Sequence, residues 1–67
     1  MTLPGDIGKK LKNARLEAAL TQAEIAKKVD IQPNTYARIE RGEAVVKLPT
    51  LRKLIKVLHI NPSDILS

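Results

Sequence analysis

Gln32-Pro33-Asn34-Thr35-Tyr36-Ala37-Arg38-Ile39-Glu40-Arg41-Gly42 reads as a short helix with two unlike faces. At about 100° per residue, Tyr36 and Ile39 fall together with Thr35 beside them, and Pro33, Asn34, Ala37, Arg38 and Arg41 fall on the other side. The first group can seal a core. The second is polar and basic, with small side chains between the long ones. That face suits a flat, negative partner with hydrogen-bonding edges. A DNA major groove is one: it admits a single α-helix, and Asn and Arg can each make two hydrogen bonds to a purine edge, adenine and guanine respectively. Taken alone, a polar and positive helix face is more often simply solvated. The segment before it changes the balance.

Thr21-Gln22-Ala23-Glu24 is a capping box, in which Thr21 bonds forward to a backbone N–H and Glu24 reaches back to that of Thr21. It opens a second short helix, to about Val29, with Ile25, Ala26 and Val29 inward and a small Ala26 that lets another helix cross closely. Asp30-Ile31 makes a tight turn, since Asp tolerates left-handed backbone better than most residues. Gln32 is an indifferent cap, and Pro33 takes the first helical position, where its missing N–H costs nothing. Gly42 ends the helix without strain. Two short helices thus flank a turn of about three residues, spanning residues 21–41.

Outward from there, Met1 to Gly5 reads as an arm ending in a Pro-Gly turn. Asp6 can cap a first helix from about Ile7 to Ala18, with an apolar stripe of Ile7, Leu11, Ala14 and Ala18. Lys9, Lys10 and Lys12 lie off the stripe, where they serve solubility or approach phosphates. Glu43 to Leu48 is a loop, oddly apolar at Ala44-Val45-Val46, which fits either ordinary packing or a patch for self-association. Pro49-Thr50 starts a fourth helix with its stripe at Leu51, Leu54, Ile55 and Leu58 and with Arg52, Lys53 and Lys56 outside; His59 and Ile60 close it. Asn61 caps a fifth, which carries Ile65 and Leu66 inward. The expectation is an all-α bundle of five short helices in one domain over residues 1–67.

Sixty-seven residues with a net charge of +5 favour a polyanionic partner. A single aromatic residue, Tyr36, lowers the odds on single-stranded nucleic acid, whose binders stack bases on several. With no cysteine, disulfides and cysteine-ligated zinc are excluded, and a cytoplasmic address is permitted. The lone His59 has no clustered ligands and no triad partner in Ser63 or Asp64, and the three glycines form no phosphate loop. No enzyme, metal or cofactor is expected. Basic residues spread over several helices, rather than lined up opposite one apolar face, argue against a membrane surface.

The ordered set Thr21-Gln22-Ala23-Glu24-Ile25-Ala26 through Thr35-Tyr36-Ala37-Arg38-Ile39-Glu40-Arg41-Gly42 resembles the helix-turn-helix of the phage repressor and Cro family, also called XRE-type. Arg15-Leu16-Glu17 before Leu20-Thr21-Gln22, and Asn61-Pro62 before Ile65-Leu66, extend the resemblance to about residues 7–66. The resemblance implies a lambda-repressor-like domain whose third helix enters the major groove while the preceding helix lies across the backbone. It implies a repressor-like regulator of transcription, acting as a homodimer on a near-palindromic operator in double-stranded DNA.

Carried onto this sequence, Asn34 and Arg38 are the main base readers, and Pro33 and Ala37 lie against a thymine methyl. Gln32 completes the base-contacting set at the groove edge. Gln22, Thr35, Arg41 and Lys47 contact phosphate, Gln22 at a helix N-terminus that favours anions. Arg15 and Glu40 are a structural pair tying the first helix to the third. The family often has Gly where this chain has Ala19, Asp30 and His59, positions that need left-handed backbone. It often has a hydrogen-bonding side chain where Pro33 stands, so DNA shape carries part of any specificity. Antitoxins and helical adaptors reuse the scaffold, and an interaction module with a protein partner on the 43–48 loop is the alternative, since fold does not fix function.

Overall fold

The computed structural model describes residues 4–66, and side chains over 5–65. Five helices follow one another: α1 (Pro4–Glu17), α2 (Gln22–Lys28), α3 (Pro33–Glu40), α4 (Leu48–Leu58) and α5 (Pro62–Leu66). No strand occurs among the described residues. The expected all-α, five-helix architecture is therefore what the chain adopts. α3 packs against α1 and α2, and α1 also meets α4. The core is Leu11, Ile25, Ala26, Val29, Tyr36, Ile39, Leu51, Leu54, Leu58 and Ile65, all buried.

Several expectations need correction. α1 begins at Pro4, three residues before Ile7, so Pro4-Gly5 is helix rather than turn and Asp6 sits in the first turn instead of capping it. Proline is at home there because the first helical N–H groups have no partner to lose. Met1 to Leu3 of the expected arm, and the Leu66 side chain, lie outside the described residues. Ala18 is exposed, because α1 stops at Glu17 and the chain turns away. Thr35 is exposed as well, whereas Glu40 is buried. α4 starts one residue early, at Leu48, with Lys47 at its N-cap.

The helix ends share one device. After α1, Ala19 (φ 58°) is left-handed, its N–H donates to the Leu16 carbonyl and the Leu20 N–H to the Arg15 carbonyl. Asp30 (φ 60°) and Gly42 (φ 75°) repeat the pattern after α2 and α3, with Ile31 donating to Ala26 and Glu43 to Arg38. His59 (φ 55°) ends α4, and the Ile60 N–H returns to the Ile55 carbonyl. Such closures satisfy carbonyls that the helix leaves unpaired. Only one of the four uses glycine, so Ala19, Asp30 and His59 carry the strain the resemblance to Gly-bearing relatives implied. The N-termini use side chains. Thr21 Oγ1 accepts from the Glu24 N–H (3.0 Å) and Glu24 Oε1 from that of Thr21 (2.9 Å), and Asn61 Oδ1 accepts from the Ser63 N–H (3.1 Å).

One buried ion pair joins the elements. Arg15 Nε donates to Glu40 Oε2 at 2.6 Å and its second terminal nitrogen to Oε1 at 3.2 Å, while the first donates to the Leu20 carbonyl at 2.9 Å. Both residues are over 90% buried. Gln22 Nε2 donates to the same Glu40 Oε1 at 3.0 Å. Burial works against the Glu40 charge, yet the hydrogen bonds led by Arg15 outweigh it and hold the carboxyl below its ordinary value. The Tyr36 hydroxyl is buried close to the pair without a well-formed hydrogen bond; burial first, then the Glu40 carboxylate, pushes its ionisation up. Gly8 completes the α1–α3 joint: a Cβ there would stand 2.6 Å from the Ile39 carbonyl oxygen and nearer still to that of Glu40.

Three outcomes are expected. Gly8→Ala improves helix propensity by about 1 kcal/mol, but overpacks against rigid backbone and lowers stability by about 1–3 kcal/mol net, read by urea unfolding. Ala19→Gly and His59→Gly each raise Tm by a few degrees, since relief of left-handed strain exceeds the added unfolded-state entropy by roughly 0.5–1 kcal/mol. Because the Glu40 carboxyl is depressed in the folded state, its contribution is fully present above the unfolded value near ~4.3 and is lost as pH falls through the lower folded value. Glu40→Gln therefore flattens the acid side of the stability profile. It costs about 3–5 kcal/mol at neutral pH by leaving Arg15 buried without its counter-charge.

Candidate nucleic-acid interface

α3 turns Tyr36, Ile39 and Glu40 inward, and this sets what faces out. Pro33, Asn34, Arg38 and Arg41 are exposed and Ala37 is half-buried between them. Pro33 opens the helix with extended backbone at Gln32 (φ −69°, ψ 141°), and the Gln32 side chain makes no capping bond, so it stays free at the rim. The five residues expected to contact bases thus lie on one continuous face and its leading edge.

Two clefts border that face. Between α2 and α3, Ala23, Lys27, Asp30 and Ile31 line a cleft with Gln32 and Pro33. Between α3 and the start of α4, Thr35 and Lys47 come together with Ile31, Val45, Val46 and Thr50. Thr35 and Lys47, both expected at phosphate and twelve residues apart in the chain, come to one groove in the fold.

Gln22 is half-buried at the first position of α2, and its amide is committed by one N–H to Glu40. A side-chain amide carries two N–H groups, so a second donor remains for an anion. Arg41 is already engaged: Nε meets Glu43 Oε2 at 2.8 Å. Arg38 donates to the Glu43 carbonyl oxygen at 3.4 Å, an extended contact. Hydrogen bonding to Glu43 raises the Arg41 ionisation further, so its charge is permanent.

Two residues at this surface escaped the sequence reading. Lys27 sits in the last turn of α2, and its presence beside Gln32 follows only from the angle between the two helices. Glu43 was placed merely at the start of a loop; its return to Arg38 and Arg41 follows from the left-handed turn at Gly42. In the other direction, Lys10 of α1 donates to the Asp64 carbonyl, which ties it to α5. Among the described residues no three His, Cys, Asp or Glu side chains cluster as metal ligands. No helix among them is long and apolar enough to cross a membrane.

Comparison with known proteins places this arrangement. The helix-turn-helix family profile matches residues 11–65. Multiprotein-bridging factor 1 of Candida albicans is 39% identical over 54 residues, covering 81% of this chain and 36% of that protein. The cryptic phage CTXphi transcriptional repressor RstR of Vibrio cholerae is 33% identical over 58 residues, covering 87% of this chain and 52% of the repressor. The chain therefore spans about a third and about half the length of these two relatives. No solved structure matches the chain significantly. With the capping box, the left-handed turn and the α3 face all inside the matched span, the chain belongs to the XRE-type helix-turn-helix family.

Proposed function

We propose that this chain is a sequence-specific binder of double-stranded DNA that regulates transcription, with α3 in the major groove. The observation that carries the reading is the exposed α3 face: Asn34 and Arg38, flanked by the small Pro33 and Ala37, held outward by a helix whose opposite side is buried. Asn34 and Arg38 supply the bidentate donors for adenine and guanine edges. Gln22, Arg41, Thr35 and Lys47 surround them and serve the phosphates on either side. Similarity to a phage transcriptional repressor supports the same reading. As a homodimer, the protein would present two copies of α3 about 34 Å apart to a near-palindromic site.

A second reading, a protein-interaction module, draws on two observations. One is the similarity to a protein named a multiprotein-bridging factor. The other is the exposed apolar surface around the start of α4, where Val45 is 81% and Leu48 49% exposed. Salt separates the readings: phosphate contacts make affinity fall steeply as salt rises, whereas apolar docking does not.

Selection from a random duplex pool at near-physiological salt, followed by sizing of the complex, tests the first reading. It predicts an enriched inverted repeat with two chains per site. On that site, Arg38→Ala should cost about 1–3 kcal/mol and relax preference at one base position. Gln22→Ala should weaken binding to all sequences alike. An unchanged base preference in Arg38→Ala would refute the docking of α3. Absence of enrichment, with only weak salt-sensitive binding, would favour the interaction module.

A further inference from the structure

Four helices end in a left-handed turn, and the one after α3 differs in the residue that follows the left-handed position. The residue after the left-handed position is apolar and half-buried following α1, α2 and α4: Leu20, Ile31 and Ile60. An apolar residue there commonly packs back on the helix it ends. After α3 the same position is Glu43, charged and exposed.

Glu43 is held from two sides. Its N–H donates to the Arg38 carbonyl at 2.9 Å, and its own carbonyl accepts from the Arg38 guanidinium. Its carboxylate takes both prongs of Arg41, Oε2 from Nε at 2.8 Å and Oε1 from a terminal nitrogen at 3.3 Å. This fork-on-fork arrangement is the one a guanidinium makes with phosphate. The Arg41 hydrogen bonds hold the Glu43 carboxyl below its ordinary value, and the Arg38 charge adds to them, so the carboxylate stays ionised. The pair is about half exposed on both sides, and exposed pairs are weak enough to be exchanged.

We infer that Glu43 is a built-in counter-ion of the interface: its carboxylate occupies on Arg41 the place a DNA phosphate takes in the complex. The inference rests on the nucleic-acid reading above and adds its regulation. Contact with a polyanion must move the carboxylate aside, which lowers affinity without altering which bases are read. It also lowers the salt dependence, because an arginine already paired within the protein adds less to counter-ion release.

The test is Glu43→Gln, titrated with a random-sequence duplex and with heparin, a polyanion without bases, over a range of salt. Glu17→Gln is the control: it makes the same change in net charge at an exposed α1 residue beside His59 and Asn61. The expected result is a two- to fivefold gain for Glu43→Gln at low salt, roughly the worth of one exposed pair. The salt slope should steepen by up to about 0.9. Glu17→Gln should gain less, and the Glu43→Gln gain should vanish in an Arg41→Ala background. A gain no larger than that of Glu17→Gln, or one that survives Arg41→Ala, overturns the assignment. Weaker binding by Glu43→Gln also overturns it and makes Glu43 a group that positions Arg41. If none of these proteins binds duplex while the heparin gain and its Arg41 dependence hold, the DNA reading fails and the counter-ion stands.

Discussion

The buried Arg15–Glu40 pair is the constraint on which the rest of the fold turns. A guanidinium and a carboxylate out of water must satisfy nearly every donor and acceptor they carry, and they do so with groups from three places. Glu40 belongs to α3, the Leu20 carbonyl to the turn after α1, and Gln22 to the start of α2. Such a pair adds little stability over well-packed apolar side chains, but breaking it leaves a costly unpaired charge. Its effect is therefore on geometry: few placements of α3 against α1 satisfy it. Gly8 acts in the same direction by letting the α1 backbone close on the last carbonyls of α3.

Fixing α3 about its own axis is what gives the molecule a usable outer face. Once Ile39, Tyr36 and Glu40 are turned in, the side bearing Asn34 and Arg38 is turned out toward solvent. A core of ten buried residues and a buried ion pair thus orients side chains that lie outside it. The helix ends make a related exchange. Left-handed backbone at Ala19, Asp30 and His59 costs local energy, and in return each chain reversal is short and its apolar follower is drawn toward the core.

The candidate interface is basic but not uniformly so. Glu43 stands between Arg38 and Arg41, and the apolar Ala44, Val45 and Val46 follow it. A surface that pairs its own arginine fork and also exposes valine and leucine is suited to more than maximal attraction for a polyanion.

What the sequence determined by itself was whatever depends on neighbours in the chain. Helical period, the Thr21–Glu24 capping box, Pro33 at a helix start and Gly42 past a helix end are local rules, and they located α2 and α3 and the outward set around Asn34 and Arg38. The start of α1 was misplaced for the same kind of reason: Pro4-Gly5 suits a turn as well as a first helical turn, and local rules do not separate them. The tertiary structure decided what depends on the partner across a gap. Periodicity alone put Thr35 beside Tyr36 and Ile39, but α1 covers the other flank, so Glu40 is buried and Thr35 is left open to a groove with Lys47. Gly8, an unremarked glycine in the sequence, proved to be where two backbones meet. Glu43 gained its meaning only when the turn at Gly42 carried it back to Arg41. A helix knows from its sequence which side is apolar; which part of that side is covered, and which charges meet beyond it, is set by where the other helices lie.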